Sequence, residues 1–109
     1  MTPEECAQGQ LDAYNAHDTD RFCSYFSADV VVVDGHTSEV LFEGMEEFRS
    51  RYDARFVHKE LHCTLVSRMV QENIVIDQES VVGLDPDEVV QAIAIYHVHE
   101  GKIARVVFY

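Results

Sequence analysis

The chain has 109 residues, enough for one domain, residues 1–109, with a real core and too few for a second. With 20 acidic residues against 8 basic ones the formal charge is -12, so the long-range field repels nucleic-acid phosphates and anionic lipid headgroups, and neither is an expected partner. The opening MTPEECAQGQ has neither the basic start nor the apolar run of a secretion signal, and no later segment approaches the ~20 apolar residues of a membrane span, so a cytoplasmic protein is expected.

Thr2-Pro3-Glu4-Glu5 reads as a helix start, with Thr2 as N-cap, Pro3 where its missing N–H costs nothing and Glu5 placed for a capping box. Ala7, Leu11 and Tyr14 then recur at helical spacing and predict one buried stripe. Asn15-Ala16-His17-Asp18 breaks that pattern, and Asp18 is suited to cap a second helix carrying Phe22 and Phe26 one turn apart. Val30 to Val33 predicts a strand buried on both faces or nearly so, closed by Asp34 and a turn at Gly35-His36-Thr37-Ser38. Val40, Leu41 and Phe42 form a short return strand. Gly44 opens a third helix whose stripe is Met45, Phe48, Tyr52 and Phe56, with Arg49, Arg51, Asp53 and Arg55 off it.

From Leu61 the hydrophobic period becomes two. Strands are expected over 61–70, 74–82, 89–99 and 103–108, with a turn near Glu72-Asn73 and a loop over 83–88. Helices followed by long antiparallel strands define an α+β class in which helices cover one face of a sheet. Cys6, Cys23 and Cys63 lack C-x-x-C spacing and are expected as reduced thiols in apolar positions.

The order of YNAHD, a short helix, F-S-A-D before a valine strand, E-G-M-E-E-F-R-S-R-Y, and closing strands ending E-G-K-I-A-R-V resembles the SnoaL-like branch of the NTF2-like superfamily. The resemblance covers essentially the whole chain. It implies a cone-shaped fold in which three helices pack inside a strongly curved antiparallel sheet, with a central ligand cavity and homodimerisation through the sheet's outer face. It also implies a cofactor-independent enzyme or a non-catalytic ligand-binding or dimerising module, and a small apolar organic molecule as partner. Ketosteroid isomerases of the superfamily pair a carboxylate base with a tyrosine and a protonated aspartic acid that stabilise the enolate. Asp34 aligns with that base, whereas Gln10 and Ile95 align with the two donors, so turnover of a ketosteroid is not expected.

Three groups of residues bear on chemistry. Asp34 at a strand end serves either as cavity base or as turn former, and His36 either lines the same mouth or is exposed. Arg68 falls opposite Asp77 across the hairpin, so Arg68, Asp77 and Glu79 share a face with His62. Cys63, Leu65, Met69, Ile74, Ile76 and Val82 make the other face the expected core, which leaves the charged group outside. A bulge would turn it inward, where Glu79 with a raised pKa would be the better general acid. His97 and His99 point the same way with a spacing used in metal-binding barrels, but the chain lacks the rest of such a barrel and no metal is expected. His97 is instead expected on the inner face with Ile93 and Ile95. The resulting expectation is acid–base isomerisation, cyclisation or dehydration, with Asp34 as base, His97 as second proton carrier, Tyr14 or Tyr52 as donor, and Phe26, Phe56, Ile95 and Phe108 around the ligand.

Overall fold

The computed structural model describes all 109 residues, Met1–Tyr109. Helix α1, Pro3–Asn15, starts where the sequence signals it: Thr2 Oγ1 accepts from Glu5 N, and a Glu5 carboxylate oxygen accepts from Thr2 N in return. It buries Cys6, Ala7, Gln10, Leu11, Ala13 and Tyr14. The YNAHD segment then does structural work. Asn15 clamps the Cys63 backbone by donating to its carbonyl at 2.9 Å and accepting from its N–H at 2.8 Å. His17 Nε2 meets the Leu61 carbonyl at 2.8 Å, and Asp18 caps helix α2, Thr19–Cys23, by accepting from Arg21 N.

Strand β1, Phe26–Asp34, begins four residues before the valine run, so Phe26 belongs to a strand and not to the second helix as its spacing from Phe22 suggests. The two rings still touch, with centroids 4.9 Å apart, because the turn at Ser24-Tyr25 folds the strand start back over the helix. Strand β2 is Val40–Glu43, and helix α3, Met45–Arg55, buries Phe48 and Tyr52, with Phe56 buried just beyond its end. Strands β3, His62–Gln71, β4, Ile74–Val82, β5, Val89–His99, and β6, Lys102–Phe108, complete one six-stranded sheet in the order β2-β1-β6-β5-β4-β3. Every neighbouring pair is antiparallel except β1 with β6, which is parallel.

The sheet curves around the helices, and the aromatic rings of Tyr14, Phe22, Phe26, Phe48, Tyr52 and Phe56 fill the space between them. A bulge decides which residues face that space. In the β3–β4 ladder Leu65 pairs with Glu79 but Ser67 with Gln78, leaving Val66 as the extra residue. Cys63 and Leu65 point inward before the bulge and Arg68 after it, so Asp77 and Glu79 are on the concave face, 0% and 6% exposed. The expected core on the other side is corrected accordingly. Met69 and Val82 are exposed, and Ile74 and Ile76 lie half-buried on the convex face. The same phase carries through β5, where Ala92, Ala94 and Tyr96 face inward while Ile93, Ile95 and His97 face out. That reverses the inner-face expectation for the latter three. No helix is long and apolar enough to cross a membrane.

Candidate functional site

Small residues on a concave face leave volume, and Ala92 on β5 helps to open a cavity of about 300 Å³ between α1, α3 and the sheet. Its walls include Leu11, Phe22, Phe26, Tyr52, Val106 and Phe108, and Leu84, Gln91 and Tyr109 stand at its more exposed rim. Among this apolar lining the polar groups include Gln10, Tyr14, Arg55, Glu79 and Tyr96. The volume is at the lower end of the range for small-molecule sites, and the lining has the expected form of apolar walls with a few convergent polar atoms.

Glu79 is the chemical centre of this group. Burial pushes its carboxyl up to about 7, the nearby Asp77 charge adds to the rise, and the Tyr96 hydroxyl and the neighbouring Cys63 thiol pull in the other direction without cancelling it. Tyr96 donates to Glu79 Oε2 at 3.4 Å, and Gln10 Nε2 donates to the Tyr96 hydroxyl at 3.1 Å while also holding the Ala7 carbonyl at 3.0 Å. Helix α1 thereby orients Tyr96 toward the carboxyl. The Cys63 thiol, pushed up to about 12 by burial and by the charge of Glu79, stays protonated near neutral pH and is not a nucleophile.

At another side of the cavity the Tyr14 hydroxyl and the Arg55 guanidinium are neighbours, and Arg55 also sits over the Tyr52 ring at 5.0 Å. Burial raises the pKa of Tyr14 and of Tyr52, so both phenols keep their protons near neutral pH. Behind Glu79, Asp77 receives two parallel hydrogen bonds from Arg68 at 2.7 and 2.9 Å, and Arg68 also donates to Gln8 on α1 at 2.9 Å. This buried pair fixes the strand beneath the site and holds a negative charge near Glu79.

The expected site residues divide. Tyr14, Phe26, Tyr52 and Phe108 line the cavity, and Phe56 packs edge-on behind Tyr14 at 5.3 Å. Arg68, Asp77 and Glu79 come together as a cluster, but facing inward, and His62 is exposed on the other face because the bulge separates its phase from that of Arg68. Asp34 does not line the cavity. Its Oδ1 accepts from the His36 and Thr37 N–H groups at 2.8 and 3.4 Å, the geometry of an Asx turn. His36 reaches only the rim, edge-on to Tyr109 at 5.2 Å. Ile95 and His97 are on the convex face, where burial and the Arg105 charge lower the His97 pKa. The structure gathers no group of three or more metal-ligating side chains.

Sequence reasoning missed Arg55 and Tyr96 as site residues and treated Gln10 only as a departure from an enzyme pattern. Arg55 follows Tyr52 by three residues, a spacing that puts both on one helix face. The signal for Tyr96 was the run Ala92-Ala94-Tyr96, two small residues and a large one along one face of a strand.

A curved sheet closed over helices around a small apolar cavity is the NTF2-like architecture. The SnoaL-like domain family matches residues 7–106, and the chain belongs to that family. An uncharacterized cystatin-fold protein from Novosphingobium aromaticivorans superposes with a TM-score of 0.89 at 28% identity, over 100% of this chain and 98% of that one. An NTF2-like protein of unknown function from Cytophaga hutchinsonii gives 0.83 at 14% identity, over 100% and 89%. A proposed ketosteroid isomerase from Kribbella flavida gives 0.83 at 17% identity, over 97% and 75%. No curated protein matches the chain.

Proposed function

We propose that the protein is a cofactor-independent acid–base enzyme acting on a small, largely apolar organic molecule, with Glu79 and not Asp34 as its proton carrier. The observation that carries this reading is a carboxyl with a pKa of about 7, buried in the cavity wall and held by an oriented tyrosine. Such a group is divided between its two forms at neutral pH. As carboxylate it takes a proton from a carbon next to a carbonyl, and the electron pair of the broken C–H bond moves to the carbonyl oxygen. As carboxylic acid it returns the proton at a second carbon, which isomerises the substrate, or protonates a departing hydroxyl, which dehydrates it.

The developing oxyanion needs a donor that is already in place. Tyr14 fits that role: its hydroxyl lines the cavity beside the Arg55 guanidinium, and burial keeps it protonated and able to donate. Tyr96 and Gln10 set the orientation of Glu79. Ketosteroid isomerase activity itself is not proposed, since Asp34 is spent on a turn and Ile95 faces outward.

We infer in addition that two copies associate through the convex face, where Val66, Met69, Val89 and Ile93 are exposed beside half-buried Ile76 and Ile95. Three buried free cysteines accord with a reducing, cytoplasmic setting. The test of the catalytic reading is a panel of small ketones, enones and hydroxyketones assayed with the wild type, Glu79→Gln and Tyr14→Phe. Loss of turnover by about a hundredfold or more in Glu79→Gln, with ligand binding retained, is the expected result. Ligand binding in all three proteins with turnover in none would make the protein a binding module instead.

A further inference from the structure

Only two of the eight cationic side chains, Arg55 and Arg68, leave the fully exposed surface. Arg68 meets a buried carboxylate, Asp77, in a two-point contact. Arg55 meets none, in a chain with 20 acidic residues to choose from, and its neighbours are the Tyr14 hydroxyl and the Tyr52 ring. A half-buried guanidinium offers a rigid fork of donors that strongly favours a planar two-oxygen acceptor, and it is costly to leave without one.

We propose that Arg55 is the anchor for a carboxylate carried by the ligand, so that the cavity takes a compact organic acid with an apolar, ring-sized body. The cavity wall at Arg55 also presents Tyr14, whose hydroxyl can donate to the same head group, while Phe22, Phe26, Val106 and Phe108 receive the apolar body. Glu79 belongs to the same lining, so a head group on Arg55 leaves the body of the molecule to face the proton carrier. The formal charge of -12 opposes this choice only at long range, because salt at 0.15 M screens exposed charges beyond about 8 Å, whereas the pairing at Arg55 is a direct contact in a partly desolvated pocket. A neutral ketone would leave the guanidinium fork half used.

This inference rests on the cavity being the ligand site and narrows the substrate class of the proposed enzyme. Its test is a binding titration, by NMR or calorimetry, of 2-naphthoate against its neutral counterpart 2-naphthamide. The wild type is expected to bind the acid at least about tenfold more tightly than the amide, the difference that a charge-assisted pair makes. Arg55→Gln is expected to lose that preference and keep the amide affinity, which also shows that the variant is folded, and Arg55→Lys to keep part of it. Equal affinity for acid and amide in the wild type, an unchanged preference in Arg55→Gln, or no binding of either compound at millimolar concentration would overturn the proposal. Glu79→Gln separates the two readings: an acid preference that survives there, alongside no catalytic role for Glu79, would sink the enzyme reading and leave the anchor standing.

Discussion

Replacing Glu79 by glutamine keeps the shape of the side chain and removes its titration, and the consequence for stability follows from burial. The folded-state pKa of about 7 lies above the ordinary 4.5, so the protonated form is the one that suits the fold. Below pH 4.5 both states carry the proton and the group costs nothing. Between 4.5 and about 7 the unfolded chain releases its proton while the folded protein keeps it, so stability falls as pH rises; above 7 the loss levels off. Because Glu79 is only 6% exposed, solvent screening removes little of the effect, and the full span corresponds to about 3 kcal/mol at about 1.4 kcal/mol per pH unit. Between pH 5 and pH 8 the share is about 2 to 3 kcal/mol. Urea unfolding of wild type and Glu79→Gln at those two pH values isolates it, because every other titrating group is common to both proteins. The wild type should lose that much more stability than the variant on going to pH 8. Parallel pH dependence in the two proteins would refute the assignment of a buried, proton-holding carboxyl.

Arg68→Met should destabilise the protein by about 3 to 5 kcal/mol in the same assay, since it leaves Asp77, with no exposed surface, as an unpaired buried charge, and adding Asp77→Leu should recover most of the loss. Asp34→Asn should cost no more than about 1 kcal/mol and leave turnover of any substrate unchanged, because the side chain serves a turn. An activity loss in that variant comparable with Glu79→Gln would return Asp34 to the catalytic list. Ile76→Lys, on the convex face, should halve the mass measured by light scattering while leaving the circular dichroism spectrum intact. A wild-type mass of one chain would remove the dimer from the account.

The helix starts were legible because their chemistry is local: a threonine, a proline and a glutamate within four residues specify one capping geometry wherever they occur. Strand positions were legible for a similar reason, as was the pairing of Arg68 with Asp77, which follows from a two-residue turn at Glu72-Asn73. The direction in which strands face was not. Both faces of β4 carry isoleucine or valine, so alternation alone points to the face with Ile74 and Ile76 as the core and puts Asp77 and Glu79 outside. One extra residue at Val66 shows how β3 can present Cys63, Leu65 and Arg68 to the same side, and nothing in the local sequence announces it. The error then passed along the sheet to Ile95 and His97, because antiparallel neighbours share a phase. Asp34 stays open between two readings in the sequence: a strand end beside a turn suits a cavity base and an Asx turn equally, and the N–H groups of His36 and Thr37 that make the turn appear only in the fold.

If Glu79 is the proton carrier, this one carboxyl in the cavity holds and releases a proton near neutral pH. Its side-chain carboxyl carbon can be followed directly by ¹³C NMR in glutamate-labelled protein, with Glu79→Gln identifying the resonance. A titration midpoint near 7 is expected for that one signal. A midpoint near the ordinary 4.5 would contradict it, and with it the assignment of Glu79 as proton carrier.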